Sequence, residues 1–340
     1  MLKLRRGVIV DEAPLTVEVD GERRAAWADE GLLGEMREGD EVVVNVEALD
    51  LGLGSGGLDI VHVNLSRGLE GAGAGGAHVM KLNYTPIQHP VEPVERSDED
   101  VAAGRETTTP VLVIPLHGQL APAAWAAGQA LPGLRVGYLQ TAGGALPGRI
   151  SRDVAQLRGL GILCGHVTAA PAYGGEQESL SLAGALDAAA HRLRWQAVIA
   201  GPGPGIIGSE THYGHGGMAA LDSAHAALAL GMPTLLSPRL SDADPRPRHR
   251  GVSHHTRTVL ELLLAGVEVP VPDDAGAALE ELRSIANGRH RVDPHPADVE
   301  RYAASGLPTR TMGRSLDEDR VFFAAALAAG TALAAAGGER

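Results

Sequence analysis

The stretch Val111-Leu112-Val113-Ile114-Pro115-Leu116-His117-Gly118-Gln119-Leu120-Ala121-Pro122-Ala123-Ala124-Trp125-Ala126-Ala127-Gly128-Gln129-Ala130 decides the fold. Its first four residues are apolar without alternation, which predicts a strand buried on both faces; the alanine-rich run 121–130 predicts a helix. A second apolar run, 134–139, follows directly, so the unit is strand, helix, strand. The pattern recurs downstream, with predicted strands at 160–163, 197–200, 234–236 and 267–271 and predicted helices at 179–193, 218–230 and 256–264. Such alternation defines an α/β fold, a mostly parallel sheet with flanking helices, over residues 110–275.

On the N-terminal side the texture differs. Short alternating apolar runs at 7–10, 15–19, 41–46, 58–63 and 78–82 are separated by turn pairs such as Asp20-Gly21 and Gly39-Asp40. They predict a small β-rich N-terminal domain, a sandwich or barrel, over 1–89. The glycine-rich segments 52–57 and 71–76 fit loops between strands, because no helical pattern follows either. Residues 90–109, rich in Pro, Glu, Asp and Thr, read as a linker. A C-terminal helical extension, 276–340, is predicted to hold helices at 277–285, 296–304 and 316–335. Ser315 and Glu318 have capping-box spacing before the last one. That last helix is apolar through Val321-Phe322-Phe323, so it packs on the α/β domain or on a partner subunit, and a homo-oligomer is expected.

Composition narrows the function classes. The 340 residues carry 29 Lys and Arg against 42 Asp and Glu, a net charge of −13, which opposes broad attraction to phosphate backbones; nucleic acid is not an expected partner. The single cysteine, Cys164, excludes an internal disulfide and multi-thiolate metal sites, which suits a reducing compartment. With no run of about eighteen apolar residues and no signal-peptide core at 1–10, the expectation is a cytoplasmic protein without a membrane partner. Lys3 and Lys81 are the only lysines, and neither lies in a phosphate-loop motif. No G-x-S-x-G elbow is present, so nucleophilic hydrolysis has little support from motifs. Cys164, at a predicted strand end, reads as a structural thiol.

Ligands of open α/β sheets bind beyond the carboxyl ends of the strands. The segments that follow the predicted strands are polar and glycine-rich: His117 after the first, Gln140 and Thr141 after the second, and residues 201–217 after Ala200. Gly203, Gly205 and Gly208 match G-x-G-x-x-G, but Pro202 and Pro204 stiffen the turn and no acidic residue ends the next strand, so a dinucleotide site is disfavoured. Gly201, Gly203, Gly205 and Gly208 instead offer close backbone approach, with Ser209 and Thr211 as polar contacts. His212, His215, His254 and His255 are candidates for acid–base work, or for metal binding with Glu210 nearby; with 14 histidines in the chain, hydrogen-bonding loop residues are the competing reading. Arg246, Arg248, His249 and Arg250 lie in a proline-braced loop and form a candidate anion clamp, the alternative being a solvated loop paired with Asp242 and Asp244.

The segments 48–57, Tyr84-Thr85-Pro86, 201–208 and Asp244-Pro245-Arg246-Pro247-Arg248-His249-Arg250-Gly251-Val252-Ser253-His254-His255-Thr256 together resemble a bacterial family, the domain-of-unknown-function family numbered thirty-eight sixty-six. The resemblance spans nearly the whole chain and implies no activity. Tyr84-Thr85-Pro86 and Tyr138-Leu139-Gln140-Thr141 are also similar to the precursor subunit of glycine, sarcosine and betaine reductase component B. That family implies an N-terminal β domain joined to α/β layers; Cys164 is not in the context of its pyruvoyl-forming cysteine.

Two functions stand open. One is an enzyme acting on a small anionic or nucleotide-like metabolite at the carboxyl edge of the sheet; the other is a non-catalytic metabolite-binding or complex-forming protein. The sequence names no cofactor and leaves a metal open.

Overall fold

The computed structural model describes residues 1–53, 56–71, 73, 75–95 and 107–338. Part of the predicted linker, 96–106, lies outside the described residues, as do positions 54, 55, 72 and 74 of the two glycine-rich loops. The chain divides into two compact units, Met1–Val91 and Glu92–Arg340.

In the first unit, β1 (Leu4–Glu12), β2 (Leu15–Val19), β3 (Glu22–Trp27), β4 (Glu41–Asn45) and β5 (Asp59–Asn64) close a barrel in the order β1-β2-β3-β5-β4. Short helices α1 (Glu30–Leu33) and α2 (Glu47–Asp50) flank β4 in the chain. The small residual pair β6 (Val79–Lys81) and β7 (His89–Val91) is antiparallel. Asp20 and Gly21 turn β2 into β3 with φ of 51° and 83°, the left-handed conformations that a tight hairpin requires. Ile9, Val17, Val19, Val42, Val44 and Val61 fill the interior. Strand β3 has no signal in the sequence, because Glu22-Arg23-Arg24-Ala25-Ala26-Trp27 lacks an alternating apolar face; the hairpin and its pairing to β2 make it a strand.

The second unit is built on an eight-stranded, all-parallel sheet. Its elements run β8 (Val111–Val113), α3 (Leu120–Ala130), β9 (Val136–Thr141), α4 (Arg152–Gly159), β10 (Gly165–Ala169), β11 (Gln177–Ser179), α5 (Leu182–His191), β12 (Ala197–Pro202), α6 (Ala219–Ala229) and β13 (Thr234–Leu236). There follow the short hairpin strands β14 (Leu240–Ser241) and β15 (Gly251–Val252), then α7 (His254–Leu262), β16 (Glu268–Pro272), α8 (Ala277–Ala286), β17 (Arg291–His295), α9 (Val299–Ala303) and α10 (Arg320–Gly338). Strand order is β11-β10-β9-β12-β8-β13-β16-β17.

Side-chain alternation sorts the helices to two faces. Leu112, Ile114, Val136, Tyr138, Ala197 and Ile199 point to the layer holding α3, α4, α9 and α10. Val111, Val113, Leu139, Val198 and Ala200 point to the layer holding α5, α6, α7 and α8. Connections that step one way along the sheet use the first face and those stepping the other way use the second, as the single handedness of parallel crossovers demands. The expected strand at 160–163 is instead the turn that follows α4. The true strand, Gly165-His166-Val167-Thr168-Ala169, is wholly buried but looks polar, because His166 and Thr168 hydrogen-bond inside the protein.

The reciprocal box at Ser315 and Glu318 forms: the Ser315 amide donates to Glu318 Oε2 at 2.6 Å and the Glu318 amide to Ser315 Oγ at 3.3 Å, just ahead of α10. By length and hydropathy α10 is apolar enough to cross a membrane, yet 72% of that apolar window is buried inside the protein, where it packs along α3. Gly330 sets the closest approach, since a Cβ there would lie 2.1 Å from the Ala123 carbonyl oxygen. Gly330→Ala is therefore expected to lower stability by about 1–3 kcal/mol in urea unfolding. Gly128→Ala, on α3 with open space around the new methyl group, should raise it by up to about 1 kcal/mol. Equal effects at the two positions would contradict this packing.

Candidate functional site

Strand β12 is flanked by β8 and β9, whose chains leave toward the α3 face while its own chain leaves toward the α6 face. The opening so created at the carboxyl edge is the expected place for a ligand. It holds a connected polar network. Tyr138 on β9 donates its hydroxyl to the carbonyls of Gly201 and Pro202 at 3.0 and 2.8 Å. His117, just past β8, places Nδ1 3.1 Å from the Pro202 carbonyl and Nε2 2.8 Å from Ser151 Oγ. His166 stacks on Tyr138 with ring centres 5.4 Å apart and meets Gln140 Oε1 at 3.2 Å, while Gln140 Nε2 donates to the carbonyls of Ala145 and Leu146. His117, Gln140 and Thr141 are thus brought to one edge, all buried. Burial pushes the His117 imidazole below its usual range and His166 down to about 3.

The glycines of the long loop have two different jobs. A Cβ on Gly201 would meet the Ile114 side chain at 2.3 Å, and one on Gly203 the Ala145 carbonyl oxygen at 2.2 Å. The close approach these two permit is to the protein's own chain. Gly205 has φ of 71° with open space around it, and Gly208 pairs with His215 across the loop. Ser209 and Thr211 bond each other at 2.9 Å and brace Gly214 at the exposed loop tip.

A second cluster forms beyond β12 and β13. His215, from the long loop, stacks on His255 with ring centres 3.8 Å apart and planes 9° from parallel. His254 lies edge-on to both, and His249 contacts His254 and His255 at 4.8 and 4.9 Å. Ser253 caps α7 and holds His249 Nδ1 at 2.7 Å, which is why His254 and His255 occupy the first turn. His212 stays at the periphery, where its carbonyl lies 3.1 Å from His215 Nε2 and its ring reaches Thr258.

Behind the imidazoles sits Arg239, 1% exposed, which belongs to the same basic stretch but whose role inside the fold the sequence does not single out. Its Nη1 donates to His255 Nδ1 at 3.2 Å and its Nη2 to Asp244 at 3.0 Å. Asp244 is completely buried and also receives Arg246 through two 2.9 Å bonds and Arg314 at 3.4 Å. Burial alone would raise the Asp244 pKa, but hydrogen bonds from Arg246 and the nearby guanidiniums hold it well below the carboxylate range. Arg246 is therefore committed to Asp244, and Arg250 donates to the Asp244 backbone carbonyl. Arg248 reaches the exposed Glu210, at 3.6 Å.

Burial, then the positive charge of Arg239, Arg246 and neighbouring histidines, keeps the cluster neutral: His249 falls to about 3, His254 to about 4, and His215 and His255 also fall. Within this cluster, His215 Nδ1 and Arg239 Nε are buried with no hydrogen-bond partner among the described residues. Ligand atoms of His215, His254 and His255 lie within 4.8 Å of one another, a spacing a metal ion could use. Two features oppose it. Imidazole lone pairs lie in the ring plane, so the parallel rings of His215 and His255 cannot both aim at one ion without rotating. In addition, His255 Nδ1 accepts from Arg239, which leaves the proton of the neutral ring on Nε2. A second grouping, Glu268, Asp293 and His295, has its two carboxylates joined by Arg291. Burial raises the Cys164 pKa, so that thiol is a poor nucleophile.

Fold and site define an α/β protein with an all-parallel sheet, preceded in the chain by a β barrel, and with histidine–arginine groups clustered at the carboxyl edge of the sheet. The chain belongs to the family described as Protein of unknown function (DUF3866), which matches residues 25–330. No curated protein and no solved structure matches it.

The neutral histidines couple stability to pH. His166, His249 and His254 titrate near 3, 3 and 4 in the folded protein against 6.5 for an ordinary imidazole, so below pH 6.5 the unfolded chain binds more protons. Stability is expected to be full above pH 6.5 and to fall as pH drops toward 4, and His254→Asn should flatten part of that slope. A melting temperature that stays constant from pH 7 to 4.5 would refute the neutral assignment.

Proposed function

We propose that the protein binds a small anionic metabolite, bearing a phosphate or carboxylate, at the cluster of His215, His249, His254 and His255, as a ligand-binding rather than a catalytic site. The observation that carries this reading is the contact between Arg239 and His255. It fixes the outer nitrogen of His255 as an N–H donor and leaves Arg239 Nε as an unpartnered donor, both suited to an oxygen acceptor. Arg248 at the loop rim supplies a further charge. A cation would meet Arg239, Arg248 and Arg314 and gains less. A binding role is favoured over acid–base catalysis because burial and the neighbouring guanidiniums of Arg239, Arg246 and Arg248 together oppose an imidazolium at His249 and His254.

An anion seated here would reverse the electrostatics that depress the imidazoles, so binding should take up protons and tighten as pH falls from 8 to 6. Calorimetric titration with inorganic phosphate, pyrophosphate and citrate tests this. Micromolar to millimolar binding is expected, weakened about tenfold or more by Arg248→Ala or His255→Ala. If none of the three anions binds between pH 6 and 8, or if both variants bind as the parent does, the proposal fails.

A further inference from the structure

The network at the β8–β12 opening contains an arrangement that the anion site does not use. We propose that Ser151 is a nucleophile activated by His117, giving the protein an acyl-transfer activity toward small activated esters. His117 Nδ1 lies 3.1 Å from the Pro202 carbonyl, which can only accept, so Nδ1 carries the ring proton. Nε2 then presents its lone pair to the Ser151 hydroxyl, 2.8 Å away. The base is thus hydrogen-bonded to its nucleophile on one side and oriented by a fixed acceptor on the other, the logic of a catalytic triad with a backbone carbonyl as third member.

Three further features fit the same chemistry. Ser151 is the N-cap of the eight-residue α4 and accepts the Val154 amide at 3.1 Å. The amides of Arg152 and Asp153, immediately after it, make no hydrogen bond among the described residues and are available to an oxyanion. The Asp153 carboxylate lies 4.0 Å from His117 Nε2, close enough to balance an imidazolium, and its partial exposure marks the side on which the pair meets solvent. Ser151 is 3% exposed and His117 8%, which limits the acyl group to a small one. A helix cap alone needs an oxygen acceptor; it does not need an imidazole held in a single tautomer against that oxygen.

In the reaction Ser151 Oγ attacks the acyl carbon as its proton passes to His117 Nε2. The tetrahedral oxyanion collapses, breaking the bond to the leaving alkoxide, which takes the proton back from Nε2. Water, deprotonated by His117 Nε2, then attacks the acyl-serine; the acyl–Oγ bond breaks, Ser151 Oγ takes the proton back from Nε2, and the carboxylic acid leaves.

The test treats the full chain with a fluorophosphonate probe, read by intact mass and peptide mapping, and follows hydrolysis of p-nitrophenyl acetate. One adduct on Ser151 is expected. Ser151→Asn keeps an acceptor for the cap, so it should melt close to the parent while losing the adduct and slowing hydrolysis at least ~100-fold. His117→Gln should slow labelling of Ser151 comparably. A folded parent protein that forms no adduct at Ser151, or a Ser151→Asn variant that still hydrolyses the ester at the parental rate, would overturn the proposal.

Discussion

Burial of the central strands on both faces is the constraint from which the rest of the second unit follows. Every residue of β8, β9 and β12 is buried, so these strands can carry polar chemistry only where their backbone ends. Right-handed connections then send the chains of β8 and β9 to one layer and that of β12 to the other. The gap between the departing chains must be filled. The protein fills it with hydrogen-bonded polar side chains: Tyr138, His117 and Gln140 are matched to carbonyls of the neighbouring loops, and His166 to the Gln140 side chain.

Beyond β13 the organising group is Asp244. A completely buried carboxylate is tolerable only if it is strongly paired, and here Arg239, Arg246 and Arg314 all reach it. Three guanidiniums on one carboxylate leave excess positive charge, partly met by Asp319 on Arg314. Burial, reinforced by that excess, keeps the imidazoles neutral and explains why four histidines can pack together: neutral rings pack, whereas protonated ones would repel. In the proposed reading, a bound anion would supply the missing negative charge.

The two polar groupings therefore differ in kind. The network around His117 is nearly satisfied by its own hydrogen bonds, and its reactivity would come from the orientation of one serine. The cluster around His255 has unmet polar atoms, and its affinity would come from them. They share the loop that leaves β12, with Pro202 and Gly203 on one side and His215 on the other.

Much of this was legible from residue order alone, and what was legible is local. Apolar runs such as Val111-Leu112-Val113-Ile114 announced buried strands, alanine-rich stretches announced helices, and Asp20-Gly21 announced a hairpin, because backbone preference and burial periodicity act between near neighbours. The motif that contains Ser253-His254-His255 pointed to the carboxyl edge of the sheet, where these residues lie. Only the tertiary structure decided which groups meet. Arg239 became the partner of His255, and Ser151 came to lie on His117 across 34 positions of chain. The polar strand at His166 was hidden for the same reason, since a buried polar side chain looks solvent-facing until its partner is known. Such pairings depend on strand order and on the direction each loop takes, and neither is encoded in any single stretch of the chain.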